Sequence, residues 1–179
     1  MVEHEVENWM DRITIAISRV TMFVVAFIVA IMFYEVVMRY VFERPTLWVN
    51  EMSLWFAGGV YLLAGLYVMQ QRGHIRIFIL YDMVPRSWQR LFDTISVVLI
   101  CIFAFAVVWG GFNEAWAKML RWETFGTAWD PPIPATMKPL VLVAVVLIAI
   151  QSVTNLIADW NKKKEVHDLA EEVKEEHID

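Results

Sequence analysis

The chain has 179 residues, 59% of them hydrophobic, with nine Trp, ten Met and a net charge of −5. That apolar share exceeds the roughly 45–50% usual for soluble domains and falls in long runs, which points to an integral membrane protein. Much of the acid sits at the two ends (Glu3, Glu5, Glu7 and Asp11; then the tail from Glu171 to Asp179), so no broad basic face remains and nucleic acid is excluded as a partner.

Val2, Val6, Trp9, Met10, Ile13 and Ile17 recur at spacings of three and four. This pattern predicts an amphipathic interfacial helix over residues 1–17. The N-terminus is acidic and no small-residue cleavage site follows a short apolar core, so no cleavable signal peptide is expected. The first span runs from Val20 without a charge to Tyr34 and continues to Tyr40. Glu35 and Arg39 stand four apart near its far end, a spacing that lets them neutralise each other on one helix face. An intramembrane carboxylate can also serve an ion relay, but the boundary position and the adjacent arginine favour pairing.

Pro45-Thr46-Leu47-Trp48 is expected to open the second span, with Pro in the first helical turn and Trp48 in the interface belt. Glu51 falls in that first turn, within expected reach of Arg39 or Arg44. Ala57, Gly58, Ala64 and Gly65 predict close approach of another helix. The connector Gln70–Arg90 carries Arg72, Arg76, Arg86 and Arg90, and Gly73-His74 is expected to cap the second helix. Ile75–Tyr81 is expected to lie along the membrane surface.

Pro85 starts a third helix, uniformly apolar from Ile95 to Trp109, with a bend expected at Gly110-Gly111 and an amphipathic extension to Arg121. Glu123–Pro134, with Trp129, Pro131, Pro132 and Pro134, predicts an extended, rigid outer loop. Thr136 is expected to cap the fourth span, Leu140–Ala158, with Pro139 in its opening turn. Gln151 and Asn155, one turn apart, are candidates for hydrogen bonds between helices. Residues 161–179 form a charged tail. The chain thus reads as an all-α membrane protein of four transmembrane helices (18–160) with amphipathic arms. An arrangement with both termini inside places ten of the fifteen Lys and Arg on inner segments, which the positive-inside rule favours.

No catalytic constellation emerges. The four histidines (His4, His74, His167 and His177) all fall outside the predicted spans. A haem-bearing redox anchor, which needs axial ligands within the membrane, is therefore disfavoured. The single cysteine, Cys101, cannot form an internal disulfide or build a thiolate metal site. Neither a cofactor nor a metal is expected. An independent small carrier or channel remains an alternative, motivated by Glu35 and Glu51. Broken helices in repeated halves, which many carriers show, are absent from the pattern.

Three stretches, in order, resemble the small membrane subunit (DctQ-like) of tripartite ATP-independent periplasmic, or TRAP, transporters. They are Arg39-Tyr-Val-Phe with Pro45, Trp48 and Glu51; Arg72-Gly73-His74-Ile75-Arg76; and Glu123-Thr with Trp129-Asp-Pro131-Pro132-Ile133 and Gln151. The resemblance covers about residues 10–160. Family members often carry an Asp a few residues after Gly-His, whereas Phe78 stands here and Asp82 comes later. The resemblance implies a non-catalytic subunit of the bacterial inner membrane. It would pair with a large membrane subunit that imports an organic acid on a sodium gradient, supplied by a periplasmic binding protein. The candidate interface and structural residues are Glu35, Arg39, Trp48, Glu51, Gly73, His74, Arg76, Trp122, Trp129, Pro131, Pro132 and Gln151.

Overall fold

The computed structural model describes residues 8–71 and 85–160. Within them the chain forms four helices and no strand: α1 Trp9–Tyr40, α2 Val49–Gln70, α3 Arg86–Leu120 and α4 Ile133–Asp159. Each is long and apolar enough to cross a membrane, which takes about 20 residues for a hydrocarbon core of roughly 30 Å. At 32 and 35 residues, α1 and α3 exceed that length, so they tilt or reach into the interfacial layers.

Several sequence expectations change. The interfacial helix does not separate from the first span at residue 17; α1 is continuous, because no Gly or Pro interrupts Trp9–Tyr40. Pro45 lies in the α1–α2 turn, and α2 begins only at Val49 after Trp48. Thr136 does not cap α4. Pro132 precedes the helix and a proline occupies its first turn, while Thr136 sits one turn inside and donates its hydroxyl back to the Pro132 carbonyl at 2.9 Å. Pro139 therefore falls in the interior of α4. Finally, the outer loop folds back on itself. Phe125 N donates to Pro131 O at 3.0 Å, and Gly126 N to Asp130 Oδ1 at 2.7 Å.

The helices contact in the order α1, α2, α4, α3, with α1 also touching α4. Small residues set the seams. A methyl carbon built on Gly58 would stand 3.3 Å from Met137 Sδ, and one on Gly65 would stand 3.6 Å from Ile148 Cδ1. These are the α2 positions expected to admit another helix. Gly110 and Gly111 leave α3 unbroken; Gly111 instead faces α4, where an added carbon would meet Leu142 Cδ2 at 3.2 Å. Gly111→Val is expected to wedge α3 from α4 at a cost of about 1–3 kcal/mol. That lowers the melting temperature of the purified protein by about 2–4 °C per kcal/mol. Gly111→Ala should cost less, since the end of the Leu142 side chain can turn away. Equal melting of Gly111→Val and wild type would refute close packing at this seam.

The outward faces are apolar: Phe23, Phe33, Tyr61, Phe103 and Trp109 are all exposed. Lipid replaces water as the solvent for such surface, so packing and end-of-helix polar bonds, more than hydrophobic burial, hold the helices together. No charged residue occurs over residues 20–34, 52–71, 94–113 or 139–158. The charges gather at the two ends of the bundle.

Candidate functional site

At the end that carries the α1–α2 and α3–α4 loops, Glu35 forms a clasp. It is buried in the last turns of α1. Its Oε1 accepts from Arg39 Nε at 3.1 Å and Nη2 at 2.7 Å. Its Oε2 accepts from Thr46 N at 3.0 Å and from the Thr46 hydroxyl. The i,i+4 spacing brings Arg39 over the carboxylate, and the turn returns Thr46 to it. Glu43, in the left-handed region at φ 53°, belongs to that turn. Tyr34 packs against Trp48 with ring centres 6.2 Å apart, closing the same turn from its apolar side. Both oxygens of Glu35 are occupied, so accepting or passing a proton would break several of these bonds. The geometry suits a brace better than a relay.

Glu51 behaves differently. It lies in the first turn of α2 as expected, but Arg39 is committed to Glu35, and Glu51 Oε2 is buried without a hydrogen-bond partner. The expected pairing with Arg39 or Arg44 does not form among the described residues. The favourable helix-terminus field and the cost of desolvation oppose each other here. Glu51→Gln is thus expected to change the stability of the isolated chain by less than about 1 kcal/mol. Thermal melting checks it, and a larger loss would reveal a favourable partner for the carboxylate.

α2 and α4 are tied at this end by Trp55 Nε1 donating to Thr136 Oγ1 at 2.8 Å. Lys138 pairs with Glu114 across α4 and α3, and Lys118 pairs with Glu123. Trp122 takes a left-handed conformation at φ 49° just after α3. Its N–H donates to Met119 O and that of Glu123 to Lys118 O, so the helix ends in a paired cap with Trp where Gly is usual. Trp122 is exposed, Trp129 half-buried and Pro131 buried.

At the opposite end Gln151 is a hub with no exposed surface. Its Oε1 accepts from Thr14 Oγ1 at 3.1 Å. Its Nε2 donates to Asp11 Oδ1 at 2.8 Å and to Asn155 Oδ1 at 2.9 Å. Asn155 Nδ2 in turn donates to the Met69 carbonyl at 2.7 Å. The chain of bonds joins α1, α4 and the last turn of α2. Asp11 Oδ2 also accepts from Asn8 N at 2.9 Å, so one carboxylate both caps α1 and anchors it to α4.

Gln151 and Asn155 thus bond between helices. The contacts of Asp11 and Thr14 with Gln151 are not among the expectations from sequence. The available signal was Asn8-x-x-Asp11, an N-terminal capping pattern, with Thr14 one turn further on the same face. Gly73, His74 and Arg76, with the rest of the connector from 72 to 84, lie outside the described residues. Among the described residues no cluster of His, Cys, Asp and Glu could hold a metal ion.

A family model, "Tripartite ATP-independent periplasmic transporters, DctQ component", matches residues 28–162. The chain belongs to this family. It is also similar to the "C4-dicarboxylate TRAP transporter small permease protein DctQ" of Vibrio cholerae serotype O1 (strain ATCC 39315 / El Tor Inaba N16961), with 22% identity over 135 residues. That alignment covers 73% of this chain and 58% of the relative, so the chain matches little more than half of the relative's length. The DctQ match takes in the Glu35 clasp, Trp55–Thr136 and Gln151 with Asn155. Asp11 and Thr14 precede it. Four apolar helices and membership of a transporter family make this a multi-pass membrane protein of a TRAP system.

Proposed function

We propose that this chain is the small, non-catalytic scaffold subunit of a sodium-driven TRAP transporter of the bacterial inner membrane, with both termini cytoplasmic. It braces a large membrane subunit that imports an organic acid delivered by a periplasmic binding protein. The Vibrio cholerae relative's description makes a C4-dicarboxylate the first substrate to test. The observation that carries the reading is the distribution of polarity. The middle of every span is free of charge, and the described side-chain bonds between helices, Trp55 to Thr136 and Lys138 to Glu114 on one side and Gln151 to Asp11 on the other, lie toward the two ends. A rigid partner needs such ties, whereas an ion or acid pathway needs polar groups at mid-membrane.

Arg39, Trp48, Glu51, Trp122, Trp129, Pro131 and Pro132 line the loop end and are its candidate contacts with the large subunit or the binding protein. Arg39→Ala is expected to weaken co-purification with the large subunit while leaving substrate affinity of the surviving complex unchanged. Cells expressing the large subunit and binding protein without this chain should lose uptake. Full uptake in its absence, or flux through liposomes holding this chain alone, would overturn the proposal.

A further inference from the structure

Where α3 begins and α4 finishes, a cation is held with no counter-charge among the described residues. Arg90 lies in the second turn of α3, with its guanidinium carbon 5.6 Å from the centre of the Trp160 ring. The indole face shields one side of the cation, and such contacts strengthen as water is removed. Nε of Arg90 is buried without a hydrogen-bond partner, and no ion pair to the side chain occurs among the described residues. The nearest acids in sequence, Asp93 and Asp159, each have interactions of their own. The first turn of α3 contains no acidic residue and Pro85 supplies no side-chain cap, so no described side chain there offsets the positive end of the helix.

Depth decides what can answer this charge. The apolar run of α3 begins at Ile95, five residues beyond Arg90, or about 7.5 Å along the helix. Trp160 closes α4 just past its own apolar span. Arg90 and Trp160 therefore stand at the level of the lipid headgroups, where the hydrocarbon gives way to phosphate. We propose that Arg90 and Trp160 form a site for the phosphate of an anionic lipid headgroup. The planar guanidinium presents a fork of N–H donors that matches phosphate oxygens, and the indole holds the plane in place. A zwitterionic lipid carries its own ammonium and leaves the charge of Arg90 less fully answered. A protein carboxylate would have to reach the same depth beside α3 and α4, whereas the bilayer supplies phosphate there everywhere.

The test uses the full chain in detergent, mixed with phosphatidylglycerol or phosphatidylcholine and followed by native mass spectrometry. Wild type should retain phosphatidylglycerol preferentially, and R90Q should retain it about fivefold less. R90K should fall between them, because an ammonium still attracts phosphate but lacks the fork. Circular dichroism and melting confirm that the variants fold, and R90K carries the comparison if R90Q does not. Equal retention of phosphatidylglycerol by wild type and the variants, or no preference over phosphatidylcholine, would overturn the site. Displacement of the lipid by millimolar inorganic phosphate would overturn a lipid as the source. Loss of the large subunit in R90Q with lipid retention unchanged would assign Arg90 to a protein contact instead.

Discussion

Gln151→Leu is expected to destabilise the isolated chain severely, by about 2–4 kcal/mol. The substitution keeps the volume but removes three hydrogen bonds, to Thr14, Asp11 and Asn155. Asp11 Oδ1 loses its donor from α4 in a site that Gln151 and Asp11 both share with little exposure. For a chain of this size the melting temperature should fall by about 5–12 °C, followed by tryptophan fluorescence in detergent. The loss should be local in origin. Thr14→Val added to Gln151→Leu ought to cost less than Thr14→Val does alone, because its partner is already gone. Full additivity of the two would show that Thr14 and Gln151 do not act as one unit. Gln151→Glu should be worse than Leu, since it places a second carboxylate against Asp11.

Glu35→Ala should open the α1–α2 turn without dissolving the bundle. Four hydrogen bonds meet on this carboxylate, and Thr46 is held to α1 by two of them. Their loss frees the stretch between Tyr40 and Trp48, where Tyr40 and Phe42 are already exposed. Chymotrypsin added to the purified protein should then cut there about tenfold faster or more, since cleavage follows the population of the opened turn. The helix content should stay close to wild type, because α1 and α2 remain packed along their length. Glu35→Gln should give an intermediate rate, as one oxygen still accepts but the charge for Arg39 is lost. A rate unchanged in Glu35→Ala would mean that Tyr34 and Trp48 hold the turn by themselves. The contrast with Glu51 is direct. Two carboxylates sit at the same end of the bundle, and only one is saturated with partners.

The proposed scaffold role ties these effects to transport. A brace works only if its helices keep their relative positions while the neighbouring subunit moves. The Gln151 hub and the Glu35 clasp restrain opposite ends of the same bundle, so weakening either should lower assembly before it alters substrate choice.

The four apolar helices among the described residues, their membrane-spanning character and the apolar middle of each were legible in the residues alone. These follow from length, hydropathy and the absence of charge, which are local properties of a chain in lipid. Glu35 with Arg39 was legible for the same reason, because an i,i+4 pair meets on any helix. Gly58 and Gly65 were legible as a packing face, though not which helix they receive. Helix starts were less legible: Pro45 and Thr136 carry the right chemistry for first turns, yet the turn geometry shifted α2 to Val49 and α4 to Ile133. The packing of the helices settled the remainder: that Asp11 and Thr14 meet Gln151, that Thr46 completes the Glu35 clasp, and that Arg90 rests on Trp160. Asp11 and Gln151 are 140 positions apart, and no local pattern encodes their meeting. It arises because α4 runs back between α2 and α3 to the level where α1 begins, and a buried amide there must find its partners within the bundle.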